Sequence, residues 1–220
     1  MELDKWLVLL KPVNLLFVLT GLWLTIKMAL VSIVLSLAIG TLIAVLRSSG
    51  FAPIRWLALM YTESMRNLPL LLLVFFSYFA MPKLGINLSI YWAAVVAFTV
   101  FTSALVAEIV RGGIQSVPRG QVEAAISSGM TYLQTMQYVI LPQAMKKMIP
   151  PLISQFVTLV KDTSYAMIIG ASELFEHGKL IYIQYNNPLQ TLFFVAVVYF
   201  VVNYSLSLYG RYLERRLATD

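Results

Sequence analysis

The stretch VNLLFVLTGLWLTIKMALVSIVLSLAIGTLIAVL, from Val13 to Leu46, is mostly apolar and contains a single charged residue, Lys27. A helix needs about 20 apolar residues to cross the roughly 30 Å hydrocarbon layer of a membrane, and this run exceeds that length. It is also far longer than the apolar core of a cleavable signal peptide. The run therefore predicts a transmembrane helix that the mature chain retains.

The composition of the whole chain indicates the same class. Of its 220 residues, 60% are hydrophobic and only 12% are charged, which leaves too little polar surface to coat a soluble globule. Because the apolar segments lack the alternation of barrel strands, the predicted fold class is all-α. We expect one polytopic membrane domain over residues 1–220, with five transmembrane helices at Leu19 to Leu46, Leu57 to Ala80, Ile90 to Ile109, Ile149 to Gly170 and Pro188 to Tyr209.

Lysine and arginine residues gather at the edges of these segments, and their distribution predicts the orientation of the chain. The side that holds the C-terminus carries Arg47, Arg55, Arg111, Arg119, Lys146, Lys147, Arg211, Arg215 and Arg216. The opposite side carries only Lys5, Lys11, Lys83 and Lys179. Since cytoplasmic loops hold the basic excess, we expect the C-terminus in the cytoplasm and the N-terminus outside. Topology also accounts for the net charge of +6 without a nucleic-acid partner.

The residues that are missing exclude several kinds of chemistry. The sequence has no cysteine and one histidine, His177, so it offers neither a cysteine zinc site nor a histidine-rich metal cluster. We expect His177 in a solvated external loop with Glu173, Glu176 and Lys179. No G-x-x-x-x-G-K-[ST] phosphate loop is present, so any ATP-driven work must be powered by another polypeptide.

Residues 111–150, between the third and fourth predicted spans, are too many for a plain connection and too polar for another span. Gln121 to Ile126 predicts a short helix that Gly129 ends. Thr131 can cap a second helix from Tyr132 to Ile140. Two short helices joined at a glycine would form a compact knob that fits a groove on a partner protein.

Proline residues predict two further boundaries near this knob. The second short helix should end at Pro142, and Pro150-Pro151 should restart the fourth span. The knob would then be a separate unit from the membrane helix that follows it.

The knob carries a pattern that is found in a family of transport proteins. The pattern consists of Glu123-Ala124-Ala125, Gly129, Val139 and Leu141-Pro142. It closely resembles the EAA loop of importer permeases of the ATP-binding-cassette class, although isoleucine is commoner in that family at the position of Val139. The resemblance implies that residues 119–142 form coupling helices, which sit in a cleft of a separate ATP-hydrolysing subunit and transmit its closure to the membrane helices. ATP and Mg²⁺ would bind to that subunit, and this chain would hold no cofactor. The coupling residues that the resemblance carries over are Glu123, Ala124, Ala125, Gly129, Leu141 and Pro142.

Three other motifs look like those of the polar amino acid uptake permeases: Arg66 to Leu71, Ala107 to Ser116 with Gly120-Gln121, and Lys161 to Ser164. That subfamily commonly has Gly-Thr where this chain has Asn67-Leu68. The resemblance implies five transmembrane helices with an external N-terminus, in a bacterial inner membrane. It also implies three partners, namely the ATP-binding subunit, a second permease subunit that is identical or homologous, and an extracytoplasmic solute-binding protein.

Ionisable side chains at membrane depth are costly and therefore indicate function or pairing. Glu63 and Arg66 are three residues apart and can meet on one helical face, as can Glu108 and Arg111. We expect structural or gating roles for these four residues.

The fourth span carries the candidate substrate-lining residues. Gln155, Thr158 and Asp162 recur at helical spacing along one face. With Lys161, Thr163 and Ser164 they could supply donors and acceptors to a zwitterionic amino acid. The alternative is that Lys161 and Asp162 pair with Glu108, or with other helices, to hold the bundle together.

Gln155 bears on the substrate. Permeases of this subfamily that carry cationic amino acids resemble one another in having glutamate at that position. The neutral amide predicts glutamine, glutamate or aspartate by charge complementarity. A basic amino acid is the alternative substrate. A channel subunit is less favoured because it would need no docking knob, and an enzyme would need clustered catalytic groups that the sequence lacks.

Overall fold

The structure, a computed structural model, describes residues 2–219 and the side chains of residues 4–216. No strand occurs within that range, which confirms the all-α prediction. The α-helices are α1 (Glu2–Leu7), α2 (Pro12–Arg47), α3 (Ala52–Asn67), α4 (Leu70–Phe75), α5 (Ile90–Gln115), α6 (Arg119–Ser127), α7 (Tyr132–Thr135), α8 (Leu141–Asp162), α9 (Leu174–Tyr185) and α10 (Pro188–Thr219).

Wider and tighter helical turns extend three of these helices. A π-helical turn over Phe76–Ala80 and a 3₁₀ turn over Met81–Leu84 continue α4. A second π-helical turn, Met136–Ile140, joins α7 directly to α8, and a 3₁₀ segment, Thr163–Ile169, follows α8.

Small side chains explain how the longest helix packs. The buried face of α2 presents Gly21, Thr25, Ser32, Ser36 and Gly40. Successive members of this set are four residues apart, except for one step of seven residues. A Cβ atom added at Gly40 would lie 2.7 Å from the Ser103 carbonyl oxygen of α5. Such small-residue faces let membrane helices approach closely, and α2 and α5 form the central pair of the bundle. With 36 residues, α2 is about 54 Å long, so it extends beyond a 30 Å hydrocarbon layer or crosses it at a tilt.

Within residues 2–219, three helices are long and apolar enough to cross a membrane, namely α2, α5 and the Pro188–Arg216 part of α10. The segment made of α3 and the extended α4 passes the same test as a pair, but the two parts are bent by 105°. The prediction of one unbroken helix from Leu57 to Ala80 is therefore wrong. Pro69 explains the break, because a residue before proline is pushed into extended backbone, and Leu68 has φ −93° and ψ 141°.

The fourth predicted span, Ile149 to Gly170, is not among the helices that pass this test, and its boundaries also differ from the expected ones. α8 begins at Leu141 and contains Pro150 and Pro151 in its interior, so these prolines do not restart a helix. Pro142 lies in the first turn of α8, where a missing N–H is tolerated, and it does not end the preceding helix. The knob and the fourth span are thus one continuous helical path.

The region expected as a solvated external loop is the helix α9. His177 is only 7% exposed, and its ring stacks on Phe17 with centroids 3.8 Å apart. Its Nδ1 lies 2.6 Å from the Phe17 carbonyl oxygen, which makes this nitrogen the donor. Gly21 of α2 admits the ring, since an added Cβ would lie 2.9 Å from it. The prediction of a solvated His177 is wrong because the packing of α9 on α2 buries the ring.

Candidate functional site

The coupling segment, residues 119–142, forms the expected knob. Gly129 follows α6 with φ +86°, a conformation that glycine adopts without strain. Thr131 then caps α7: its hydroxyl accepts a hydrogen bond from the Gln134 N–H, and the Gln134 side chain accepts one from the Thr131 N–H. The reciprocal cap fixes the angle at which the chain enters the second part of the knob.

The surface of this knob is mostly exposed. Glu123 and Ala124 point outward, whereas Ala125 is only 6% exposed and packs within the chain. Of the two alanines among the expected coupling residues, only Ala124 is therefore exposed to a partner. Several large apolar side chains are exposed on the same segment: Ile126, Met130, Tyr132, Leu133, Tyr138 and Leu141. Contiguous exposed apolar side chains of this kind indicate a protein-binding surface.

A cavity of about 540 Å³ lies beside α8. Three of its lining residues, Gln155, Thr158 and Asp162, are the ones that helical spacing had placed on one face. The rest of the wall is largely apolar and comes from the break between α3 and α4, from α5, and from the segment after α8: Leu68, Pro69, Leu70, Leu71, Phe101, Leu105 and Tyr165.

The other three predicted lining residues lie elsewhere. Thr163 is fully buried and its hydroxyl donates to the Val160 carbonyl oxygen at 2.8 Å, so it does not line a cavity. Lys161 and Ser164 line a second cavity of about 320 Å³ between α8 and α10, together with Tyr199. Adjacent side chains on α8 thus serve two cavities, an acidic group in the first and a basic group in the second.

Lys161 and Asp162 do not hold the bundle together by ion pairs. Among the side chains of residues 4–216, neither one makes a salt bridge to a charged partner on another helix. The alternative that paired them with Glu108 is wrong, because arginines surround Glu108. Gln155 likewise keeps its amide available to the cavity.

The four residues expected to have structural or gating roles meet in one place, and Arg47 joins them. We call these five residues the Glu108 cluster: Arg47, Glu63, Arg66, Glu108 and Arg111. The Glu108 carboxylate accepts hydrogen bonds from Arg47 at 2.5 Å and from Arg111. Arg66 lies farther away, with its Nη1 3.6 Å from Glu108 and 3.7 Å from Glu63. The cluster joins α2, α3 and α5.

Sequence reasoning missed Arg47 as a member, because it is 61 residues away from Glu108 in the chain. It also missed the cavity wall at Leu68–Leu71, for which Pro69 was an available signal of a helix break.

A second carboxylate, Glu173, was missed as well. Glu173 is fully buried and caps α9 by accepting hydrogen bonds from the Phe175 and Glu176 N–H groups, at 2.9 and 2.8 Å. The Tyr199 hydroxyl of α10 donates to it at 2.9 Å, and the Thr25 hydroxyl of α2 lies 3.5 Å away. We call this group the Glu173 site. No set of three or more His, Asp or Glu side chains in the described part of the chain could hold a metal ion.

Comparison with known proteins agrees with a helical membrane protein. Residues 36–219 match the family described as binding-protein-dependent transport system inner membrane component. A probable glutamine ABC transporter permease protein of Bacillus subtilis (strain 168) is 43% identical over 208 residues, covering 92% of this chain and 94% of the relative. A glutamate/aspartate import permease protein of Escherichia coli O6:H1 is 37% identical over 210 residues, covering 92% of this chain and 94% of the relative.

A solved structure is similar over the same range. The crystal structure of an amino acid ABC transporter with histidines matches with a TM-score of 0.88 at 34% sequence identity, over 91% of this chain and 94% of that one.

Proposed function

Because this chain belongs to the family of binding-protein-dependent transport system inner membrane components, we propose that it is the membrane-spanning permease subunit of an ATP-driven importer for a polar amino acid. It is a transport component and not an enzyme. The glutamine and glutamate/aspartate permeases among its relatives support a substrate of that class.

The single observation that carries this proposal is the continuity of α8. The helix begins at Leu141 within the knob and bears Gln155, Thr158 and Asp162 at the cavity. Leu141 and Gln155 are separated by about 21 Å along one helix. A continuous helix of that length, which contains Pro150 and Pro151, connects a displacement of the knob to the cavity, which is what coupling to a separate motor requires.

The chemistry of the cavities supports an amino acid substrate. The Asp162 carboxylate can accept hydrogen bonds from the α-ammonium group of the substrate. Gln155 and Thr158 offer neutral hydrogen-bonding groups in the same cavity. Lys161 lines the second cavity, so the Gln155 amide is the donor that the first cavity offers to the substrate carboxylate. Since Gln155 adds no negative charge, we favour glutamine, glutamate or aspartate over a basic amino acid.

The partners follow from the knob and the family. The exposed Glu123 and the apolar side chains around it would dock on an ATP-binding subunit, which holds the ATP and Mg²⁺. A second permease subunit, identical or homologous, would complete the pathway, and a solute-binding protein would deliver the substrate outside. This arrangement places the knob and the C-terminus in the cytoplasm and the N-terminus outside a bacterial inner membrane.

The mechanism is alternating access. Closure of the two ATP-binding subunits brings the knobs together, and the attached α8 helices open the cavities to the loaded solute-binding protein. Hydrolysis of ATP separates the knobs again and opens the cavities inward.

The experiment that tests this function is uptake by the reconstituted complex. Proteoliposomes would contain the permease, its ATP-binding subunit and the solute-binding protein, and they would be offered a panel of labelled amino acids. We expect ATP-dependent uptake of glutamine, glutamate or aspartate. Uptake of arginine or lysine alone would overturn the substrate class, and flux without ATP would indicate a channel.

One variant in the same assay tests the cavity. Gln155→Glu places a carboxylate beside Asp162, so uptake of an acidic substrate should fall by about tenfold, the effect of roughly 1.4 kcal/mol. Ser207→Ala, on α10 and outside the lining of this cavity, is the control. An undiminished rate in Gln155→Glu would show that this residue does not contact the substrate.

A further inference from the structure

Residues of α5 and at the C-terminal end of α3 line the first cavity at its end nearest the knob. On α5, Leu105 lines the cavity and Glu108 follows one turn later, in the direction of the knob. At the end of α3, Arg66 lies two residues before Leu68, which also lines the cavity. The Arg66–Glu108 contact therefore joins the two walls at the knob end of the cavity.

The three arginines around Glu108 are not held equally. Arg47 and Arg111 donate hydrogen bonds to the carboxylate, and the Arg47 side chain is only 12% exposed. Arg66 makes no hydrogen bond to it, keeps a 3.6 Å contact, and has a side chain that is 36% exposed. Glu108 is thus a fixed acceptor, while Arg66 is a cation that can leave.

The element that carries Arg66 is also able to move. α3 ends one residue after Arg66, and the extended backbone at Leu68 and Pro69 separates it from α4 by a bend of 105°. No helical hydrogen bond crosses from α3 into α4 at Pro69, because proline has no N–H. The Tyr61 hydroxyl of α3 lies 2.8 Å from the Val100 carbonyl oxygen and from the Ser103 hydroxyl of α5, so rotation at this joint would move the end of α3 that carries Arg66 about that contact and away from Glu108.

We propose that Arg66 is a latch, whose ion pair with Glu108 closes the knob end of the substrate cavity and whose release opens that end for discharge. The Glu63 carboxylate, on the same helix, lies 3.7 Å from the Arg66 guanidinium group. Arg66 therefore pairs with Glu63 when its contact with Glu108 is broken. An exposed ion pair is weak enough for the ATP-binding subunits to break in each transport cycle. After separation, both side chains still interact with water or with a neighbouring charge. This inference rests on the proposed transport function.

The natural absence of cysteine makes the latch directly measurable. Leu105→Cys places a reporter thiol in the cavity next to Glu108. The whole complex would be held in inverted membrane vesicles with a non-hydrolysable ATP analogue, the state in which the knob end should be closed. A membrane-impermeant maleimide is then added, and labelling is read on the permease band.

In this assay Arg66→Gln should raise the labelling rate about three- to fivefold, the population shift expected when one exposed ion pair is lost. Arg55→Gln, on the same helix but without an ion pair among the described side chains, should leave the rate unchanged. An equal rate in the assembled Arg66→Gln complex would overturn the latch.

A second measurement tests the latch in a complex that retains Arg66, so it does not depend on whether the Arg66→Gln variant assembles. Raising the salt concentration screens exposed charges, so it should speed labelling of the Leu105→Cys complex that retains Arg66. A salt-independent rate would again overturn the proposal. Loss of amino acid uptake by the unmodified complex would instead count against the transport function, so the two failures are distinguishable.

Discussion

The two carboxylates Glu108 and Glu173 stabilise the bundle in opposite ways. Glu108 is partly exposed and surrounded by arginines, one of which is loosely held. Glu173 is fully buried and receives hydrogen bonds from backbone N–H groups and neutral hydroxyls. Partly exposed charge pairs can separate and re-form at low cost, whereas a buried acceptor with several donors cannot release them without leaving polar groups unsatisfied.

Because of this difference, we expect the Glu173 site and the Glu108 cluster to have different structural roles. The Glu173 site ties α2, α9 and α10 together and anchors the chain that follows the 3₁₀ segment after α8. The Glu108 cluster ties α2, α3 and α5 next to a helix break. We therefore regard the Glu173 site as a fixed support and the Glu108 cluster as the part that opens.

The largest effect on stability is expected from Glu173→Ala. Removing the carboxylate leaves two N–H groups of α9 and the Tyr199 hydroxyl without an acceptor, so the free energy of unfolding should fall by roughly 2–3 kcal/mol. Thermal unfolding of the purified complex in detergent measures the change. Glu176→Ala is the control, because among the side chains of residues 4–216 the Glu176 carboxylate forms an ion pair with Lys179 alone, at 3.1 Å, and its loss should cost less than about 1 kcal/mol. Equal losses in both variants would refute the role of Glu173 as a support.

Glu108→Gln should have a smaller effect that depends on salt. The neutral amide loses its attraction for three arginines, and we expect a loss of about 1–2 kcal/mol at low salt. Because the cluster is partly exposed, this loss should shrink as the salt concentration rises, whereas that of Glu173→Ala should not. The comparison between the two sites fails if both losses respond to salt in the same way.

The smallest effect is expected from Tyr199→Phe, which removes one hydrogen bond to Glu173 and keeps the ring. The loss should be about 1 kcal/mol, measured by the same unfolding experiment. Tyr204→Phe is the matched control on α10, since its side chain is exposed and its change should stay within about 0.5 kcal/mol. If the two tyrosine variants unfold alike, the Tyr199 hydroxyl contributes nothing to the support.

The same comparison shows what the sequence could predict. The pairs Glu63–Arg66 and Glu108–Arg111 follow from three-residue spacing on a helix, and the structure brings both together. Arg47 joins them through a tertiary contact that no local spacing encodes. The Glu173 site combines a local cap of α9 with such tertiary contacts, because its donors Thr25 and Tyr199 are 148 and 26 residues away.

The cavity was predicted in part for a related reason. Gln155, Thr158 and Asp162 share a face because α8 keeps its regular turn as far as Asp162. Lys161, Thr163 and Ser164 lie outside that face, whereas Tyr165, three residues after Asp162, also lines the cavity. The wall at Leu68–Leu71 requires the bend between α3 and α4, which hydropathy alone does not reveal.

The central claim is that a knob continuous with α8 faces the cytoplasm and receives a separate motor. Its most direct test compares Ser128→Cys, at the end of α6, with Lys83→Cys, in the turn after α4, using a membrane-impermeant maleimide on intact cells and on inverted vesicles. We predict that Ser128→Cys is labelled only in inverted vesicles and is protected when the ATP-binding subunit is bound, while Lys83→Cys is labelled only in intact cells. Labelling of Ser128→Cys from outside the cell, or labelling that the bound subunit does not reduce, would contradict the account.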